Sequence, residues 1–141
     1  MQLGVIIDPS PYLAELPRFL GQLPQGAAAF ASDPAHYNFY SPQCVKDLTP
    51  GEFALTANRI VVAKLRFDPS PWKHESGLSL EYHDIKHWEL SVDDDIPLGT
   101  NRLGSVILDE VLPNPAGCSH EITFTGGELK VICADIEARW K

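Results

Sequence analysis

From Arg59 onward, apolar and polar residues alternate in short runs separated by turn-forming clusters. A period of two suits a half-buried strand and not a helix. Val61, Ala63, Leu65 and Phe67 share one face of such a strand, while Lys64 and Arg66 point to the other. Asp68 to Gly77, with Pro69 and Pro71, reads as a loop, after which Leu78, Leu80 and Tyr82 resume the period. Trp88, Leu90 and Val92 carry the apolar face on, past a bend or bulge around Asp84, and three aspartates end the strand. Leu103 to Leu112 reads as a further strand, followed by a loop of Pro113, Asn114, Pro115 and Gly117. Ile122 and Phe124 face Leu129 and Val131 across a hairpin whose two-residue turn takes its positive φ angles from Gly126 and Gly127. The last segment, with Ile132, Ala134, Ile136, Ala138 and Trp140, fits both periods, and we expect a strand followed by a short helix.

The first fifty residues are different, with many prolines and only Arg18 and Lys46 as basic residues. Leu13, Leu16 and Leu20 suggest a short amphipathic helix from Tyr12 to Leu20 despite Pro17. Ala27 to Ala31 and His36 to Tyr40 flank the turn cluster Ser32, Asp33 and Pro34, which suggests a hairpin. With 141 residues and no linker-like stretch, the expectation is a single mainly β domain over 1–141. Its architecture would be an antiparallel bent sheet or partly open barrel, with short helices near the termini. Residues 1–50 would form the irregular part and residues 51–141 a β meander.

Two segments bear a family resemblance. Gly51 to Val62, GEFALTANRIVV, with Leu55, Thr56 and Arg59 before Ile60, Val61 and Val62, resembles the opening hairpin of GRAM domains, which belong to the pleckstrin-homology superfold. Tyr82, Asp84 and Ile85 are similar to a later strand of that family. HEITFTGGELKV, carrying Ile122, Phe124, Thr125, Gly126 and Gly127, resembles the late hairpin of the type found in WW-domain-binding proteins. The resemblance implies a bent antiparallel platform that binds lipid or protein. The long C-terminal helix of the superfold is not evident, and the acidity is unlike its lipid-binding members.

Charge orders the partner classes. Eleven basic against nineteen acidic residues give a net charge of −8, which repels nucleic acid and favours a protein partner, above all a basic one. Cys44, Cys118 and Cys133, odd in number and irregular in spacing, suit reduced thiols. Nothing at the N-terminus resembles a signal peptide, so a cytoplasmic location is expected. One local exception to the acidity is Lys64, Arg66, Trp72 and Lys73, cations beside an interfacial aromatic that could meet a phosphoinositide or an anionic membrane surface. The opposite pattern is Glu81, Asp84, Glu89, Asp93, Asp94 and Asp95, which a basic partner could read, in the manner of bacterial immunity proteins that neutralise basic toxins. Homodimerisation through an uncovered sheet edge is a further expectation.

Catalytic and metal chemistry fare worse. His83 and His87 lie four apart, about 13 Å along a strand, too far to share one ion. Neighbours such as Cys118, Ser119 and His120 point to alternate faces of a strand and make no triad. Asp93 to Asp95 lack the glycine and distal glutamate of a calcium loop, and no phosphate-binding glycine loop occurs. No cofactor is expected. The leading reading is a non-catalytic interaction module, with a lipid-binding domain, an immunity-type inhibitor, and a small barrel enzyme using His83, His87 or His120 as alternatives.

Overall fold

A computed structural model of the chain describes residues 8–94 and 102–141. Among these residues two short helices precede eight strands. Helix α1 (Ser10–Phe19) runs into a 3-10 turn at Leu20–Gln22, and α2 spans Gln25–Ser32. The strands are β1 (Thr49–Ala57), β2 (Val61–Asp68), β3 (Leu78–His83), β4 (His87–Val92), β5 (Val106–Asn114), β6 (Gly117–Phe124), β7 (Gly127–Cys133) and β8 (Asp135–Trp140). They form two antiparallel four-stranded sheets, ordered β1-β2-β3-β8 and β4-β7-β6-β5. The fold is thus mainly β, as expected, and the two sheets do not close into a barrel.

The sheets are joined at a corner. β3 pairs with β8 up to His83↔Asp135, and β4 pairs with β7 from His87↔Ile132. Three residues of the β3–β4 strand therefore oppose two of β7–β8. Asp84 absorbs the extra residue with a φ of 54°, and backbone bonds from Ala134 to His83 and from Lys86 to Ile132 carry the ladder through. The bend anticipated at Asp84 is this bulge. It also switches side-chain parity: Leu129, Val131 and Cys133 face the core before the corner, and Ile136 does so after it. Ile132, placed on the inner face by unbroken alternation, therefore belongs to the outer one.

One core fills the space between the sheets, with Phe67, Leu65, Leu78, Leu80 and Tyr82 from the first and Ile122, Phe124, Leu129 and Val131 from the second. Each fully buried side chain of this kind contributes about 1.5–3 kcal/mol. Trp88, Leu90 and Val92 keep the inward parity, but β4 is an edge strand, and Leu90 and Val92 are each 41% exposed.

Four local expectations need correction. Ala27 to Ala31 lie in α2, not in a hairpin. Alanine is the strongest helix former, and Pro34 holds Asp33 extended at ψ 120° to stop the helix. The cap of α2 comes from far away: Asp135 on β8 accepts from the Gly26 and Ala27 backbone N–H groups at 3.2 and 2.8 Å. The final segment stays extended to Trp140 because β3 offers it a free ladder edge, so no terminal helix forms. The hairpin between β6 and β7 forms as expected, but its loop is Thr125–Gly126, and neither Gly126 nor Gly127 has positive φ. Their lack of a side chain serves close approach instead, since a Cβ on Gly126 would lie 2.0 Å from the Arg102 carbonyl oxygen. Pro113 and Asn114, expected in a loop, extend β5, and Gly117 turns the chain with a φ of 138°.

Candidate functional site

A line of polar side chains crosses the interior. His36 follows α2, Asp109 sits on the inner face of β5, His120 on β6 and Tyr82 on β3 of the other sheet. Asp109 opposes Ile122, which places it diagonally beside His120 on the same face. The Asp109 carboxylate accepts from His36 Nε2 at 2.8 Å and from His120 Nε2 at 2.7 Å. His36 Nδ1 lies 2.8 Å from the Phe30 carbonyl oxygen, and the Tyr82 hydroxyl lies 2.7 Å from His120 Nδ1.

These partners fix the protons. A carbonyl only accepts, so His36 Nδ1 carries a hydrogen. With Nε2 donating to a carboxylate, His36 is the imidazolium. His120 donates through Nε2, and its Nδ1 meets the Tyr82 hydroxyl. Burial opposes charge on both His36 and Asp109, but each is the other's counter-charge at hydrogen-bond distance. The balance raises the His36 pKa and holds Asp109 below the carboxylate range. Tyr37 stacks on His36 with ring centres 4.0 Å apart and donates to the Asp109 backbone carbonyl at 2.9 Å. Tyr12 on α1 donates to the Val111 carbonyl at 2.6 Å, and burial pushes its phenol up to about 12.

The barrel-enzyme alternative required a buried histidine beside a carboxylate in a pocket, and His120 beside Asp109 meets the first two conditions. Access is what it lacks. Tyr82 and His120 are 0% exposed, His36 2% and Asp109 3%, and each polar atom of the four is engaged. The arrangement can fasten the helical layer to both sheets, but it offers a substrate neither space nor a free base.

A second cluster has the composition of a catalytic pair without its geometry. The Cys44 thiol lies 3.9 Å from His74 Nε2, but that nitrogen donates to the Cys44 carbonyl at 2.8 Å and Nδ1 accepts from the Ser70 N–H at 3.0 Å. Both ring nitrogens are used, and burial outweighs the nearby Lys73 ammonium and pushes the thiol pKa up, so His74 does not activate the sulfur. Lys73 is held here too. Its ammonium, on a side chain 11% exposed, sits 2.6 Å from Asp47 and donates to the Phe39 carbonyl at 2.9 Å.

One cation of the basic cluster is thereby engaged elsewhere. Lys73 fastens two loops together and cannot reach a headgroup, while Trp72 is exposed on the loop surface. Lys64 and Arg66 do share the outer face of β2. There Arg66 pairs with Glu52 at 3.6 Å and Asp68 at 3.4 Å, and Lys64 stands opposite Glu81. A hollow of about 380 Å³ on this face mixes Lys64, Arg66, Arg139 and Lys141 with Glu52, Glu81 and Glu137. Arg139 is itself paired with Glu137.

The acidic candidates do not share one surface. Glu81 lies on the outer face of the first sheet, Asp84 pairs with Lys86 at the corner, Glu89 lies on the outer face of the second sheet, and Asp93 and Asp94 follow β4. Asp95 lies outside the described residues. His83 and His87 are parted by the corner, contacting Glu81 and Glu137 in one case and Glu89 in the other. The second sheet instead builds an acidic row of its own. Glu89, Lys130, Glu121 and Glu110 are cross-strand partners in one line over β4, β7, β6 and β5, with Glu128 in the next row opposite Ser91 and Thr123. Lys130 lies 3.6 Å from Glu121, and burial together with the Glu121 charge raises the Glu110 pKa. The Glu121–Lys130 register depends on the loop being Thr125–Gly126; the Gly126–Gly127 turn expected from sequence would have set Glu121 opposite Ile132. The positions of Glu89 and Glu110 depend on strand order and were not legible in sequence.

The two segments that resemble GRAM domains are the β1–β2 and β6–β7 hairpins, a unit common to many β folds. No family model matches this chain, and neither a curated protein nor a solved structure is significantly similar to it. Among the described residues, no helix is long and apolar enough to cross a membrane.

Proposed function

We propose that the protein is a non-catalytic interaction module whose partner is a basic protein segment seated on the outer face of the second sheet. The observation that carries this reading is the row Glu89–Lys130–Glu121–Glu110, flanked by Glu128, in which four carboxylates accompany one ammonium. Carboxylates directly opposite or diagonal on a sheet repel one another, the Glu121 charge adding to burial in raising the Glu110 pKa, and a cationic partner relieves that repulsion. The net charge of −8 steers such a partner inward from a distance. An immunity-type inhibitor of a basic toxin is one form this function takes. The lipid-surface reading is the weaker one, because Lys73 is held in an ion pair and Arg66 already has two carboxylate partners.

The test titrates the protein with a Lys/Arg-rich extended peptide and a Glu-rich control, alongside liposomes with and without phosphoinositide. Binding of the basic peptide alone, weakening as salt rises and at least tenfold weaker in a Glu89→Lys/Glu121→Lys variant, is the expected outcome. Liposome binding abolished by Lys64→Glu/Arg66→Glu would replace this reading with the lipid one.

A further inference from the structure

Cys118 and Cys133 stand directly opposite each other on β6 and β7, with their Sγ atoms 3.8 Å apart. Both side chains are fully buried. Direct cross-strand partners have Cα atoms about 4.5–5.5 Å apart, inside the range of roughly 4.4–6.8 Å that a disulfide bridges. Closing the sulfurs to about 2 Å therefore requires side-chain rotation and no displacement of either strand. The third cysteine is occupied elsewhere, with Cys44 Sγ beside the Lys46 carbonyl and His74.

We propose that Cys118 and Cys133 form a redox-active dithiol site that hydrogen peroxide converts to an intramolecular disulfide. The thiolate of one cysteine attacks a peroxide oxygen, the O–O bond breaks, and hydroxide leaves to give a sulfenic acid. The sulfur of the second cysteine then displaces the sulfenic hydroxyl, forming the S–S bond. Two thiols and one peroxide give one disulfide and two waters, so both sulfurs are oxidised and both peroxide oxygens reduced. A small oxidant suits a site with no exposed sulfur, where a bulky disulfide has no room to attack. Contact with Cys118, together with burial, raises the Cys133 pKa, so the first step is slower than at an exposed thiol. The second step is fast because the partner sulfur is already in place.

The bridge pins β6 to β7 next to the point where β7 turns the corner into β8. The Cys133 thiol also donates to the backbone carbonyl of Asp135, the residue that caps α2. Oxidation thus exchanges that hydrogen bond for a covalent link between β6 and β7 beside the corner.

The experiment treats Cys44→Ser protein with hydrogen peroxide under native conditions, then alkylates it in denaturant and maps the peptides. We expect a loss of two mass units, a linked peptide pair containing Cys118 and Cys133, and a melting temperature higher by roughly 5 °C or more that dithiothreitol reverses. The same oxidation of the protein unfolded in denaturant should close the bridge at least tenfold more slowly relative to thiol consumption. The proposal is overturned if both cysteines still alkylate after native oxidation, if they gain oxygen without linking, or if the unfolded chain closes the bridge equally well.

Discussion

The assignment of His36 as a buried cation makes Asp109→Asn informative, because the substitution keeps the shape of the side chain and removes only its charge. In the wild type the carboxylate accepts from both His36 and His120. An asparagine can still accept the His120 N–H at its oxygen, which also lies within reach of His36 Nε2, but its amide N–H then stands against that same nitrogen and the counter-charge is gone. The folded variant therefore favours a neutral His36, and the sign of its pH dependence reverses. In the wild type the His36 pKa is raised above 6.5, so its contribution is complete below that value and is lost as pH rises through the higher folded-state value. Asp109 is lowered from 3.8, so its contribution is present above that value and is lost as pH falls through the folded-state value. Between these limits the pair is intact. In the variant, stability instead falls below pH 6.5, by up to about 1.4 kcal/mol per pH unit. At pH 8 the variant should lose only about 1–2 kcal/mol, the scale of an altered buried hydrogen bond. Asp109→Ala, which strands two buried N–H donors and a cation, should lose about 3–5 kcal/mol of a total near 5–15 kcal/mol. Urea denaturation of the three proteins at pH 5, 6, 7 and 8 measures all of this. Parallel pH profiles for wild type and Asp109→Asn would refute the imidazolium assignment.

Tyr82→Phe removes the hydroxyl that meets His120 Nδ1 and should cost about 1–3 kcal/mol, read as a lower denaturation midpoint with an unchanged m-value. Asp135→Ala leaves two N–H groups of α2 without their cap, and a loss of about 1–2 kcal/mol is expected; an unchanged melting temperature would mean that water replaces the cap. Gly126→Ala forces a Cβ against the Arg102 carbonyl and should cost about 1–3 kcal/mol, whereas Gly21→Ala, with open space around it, should stay within about 0.5 kcal/mol. Leu55→Lys places a charge on the exposed edge strand β1. It should leave thermal stability within about 0.5 kcal/mol while suppressing any concentration-dependent association seen by light scattering.

The strands were legible in the sequence where one face is apolar and the turn chemistry is local. β2, β3 and the β6–β7 hairpin follow from alternation alone, and burial agrees with the parity assigned to Ala63, Leu65, Phe67, Leu78, Leu80 and Tyr82. What failed depends on contacts distant in sequence. The cap of α2 lies on β8, the extended conformation of residues 135–140 requires the edge of β3, and Leu90 and Val92 keep the core parity while β7 flanks them on one side only. The polar line through the core left one signal: Asp109 stands between Ile107 and Val111 at a spacing of two, an acid on an apolar face. Its partner His36, 73 residues away, could not be inferred from any local pattern.

The position of β8 in the chain has a kinetic consequence. It is the last strand in sequence order, yet it pairs with β3 from Leu78↔Trp140 onward and caps a helix 109 residues earlier. Contacts this remote incur the loop-closure cost before any pairing rewards it, which places the protein among the slower, millisecond-to-second folders. During vectorial synthesis α2 and the β3 edge wait uncompleted until β8 emerges, and that interval is when the chain is most open to mispairing.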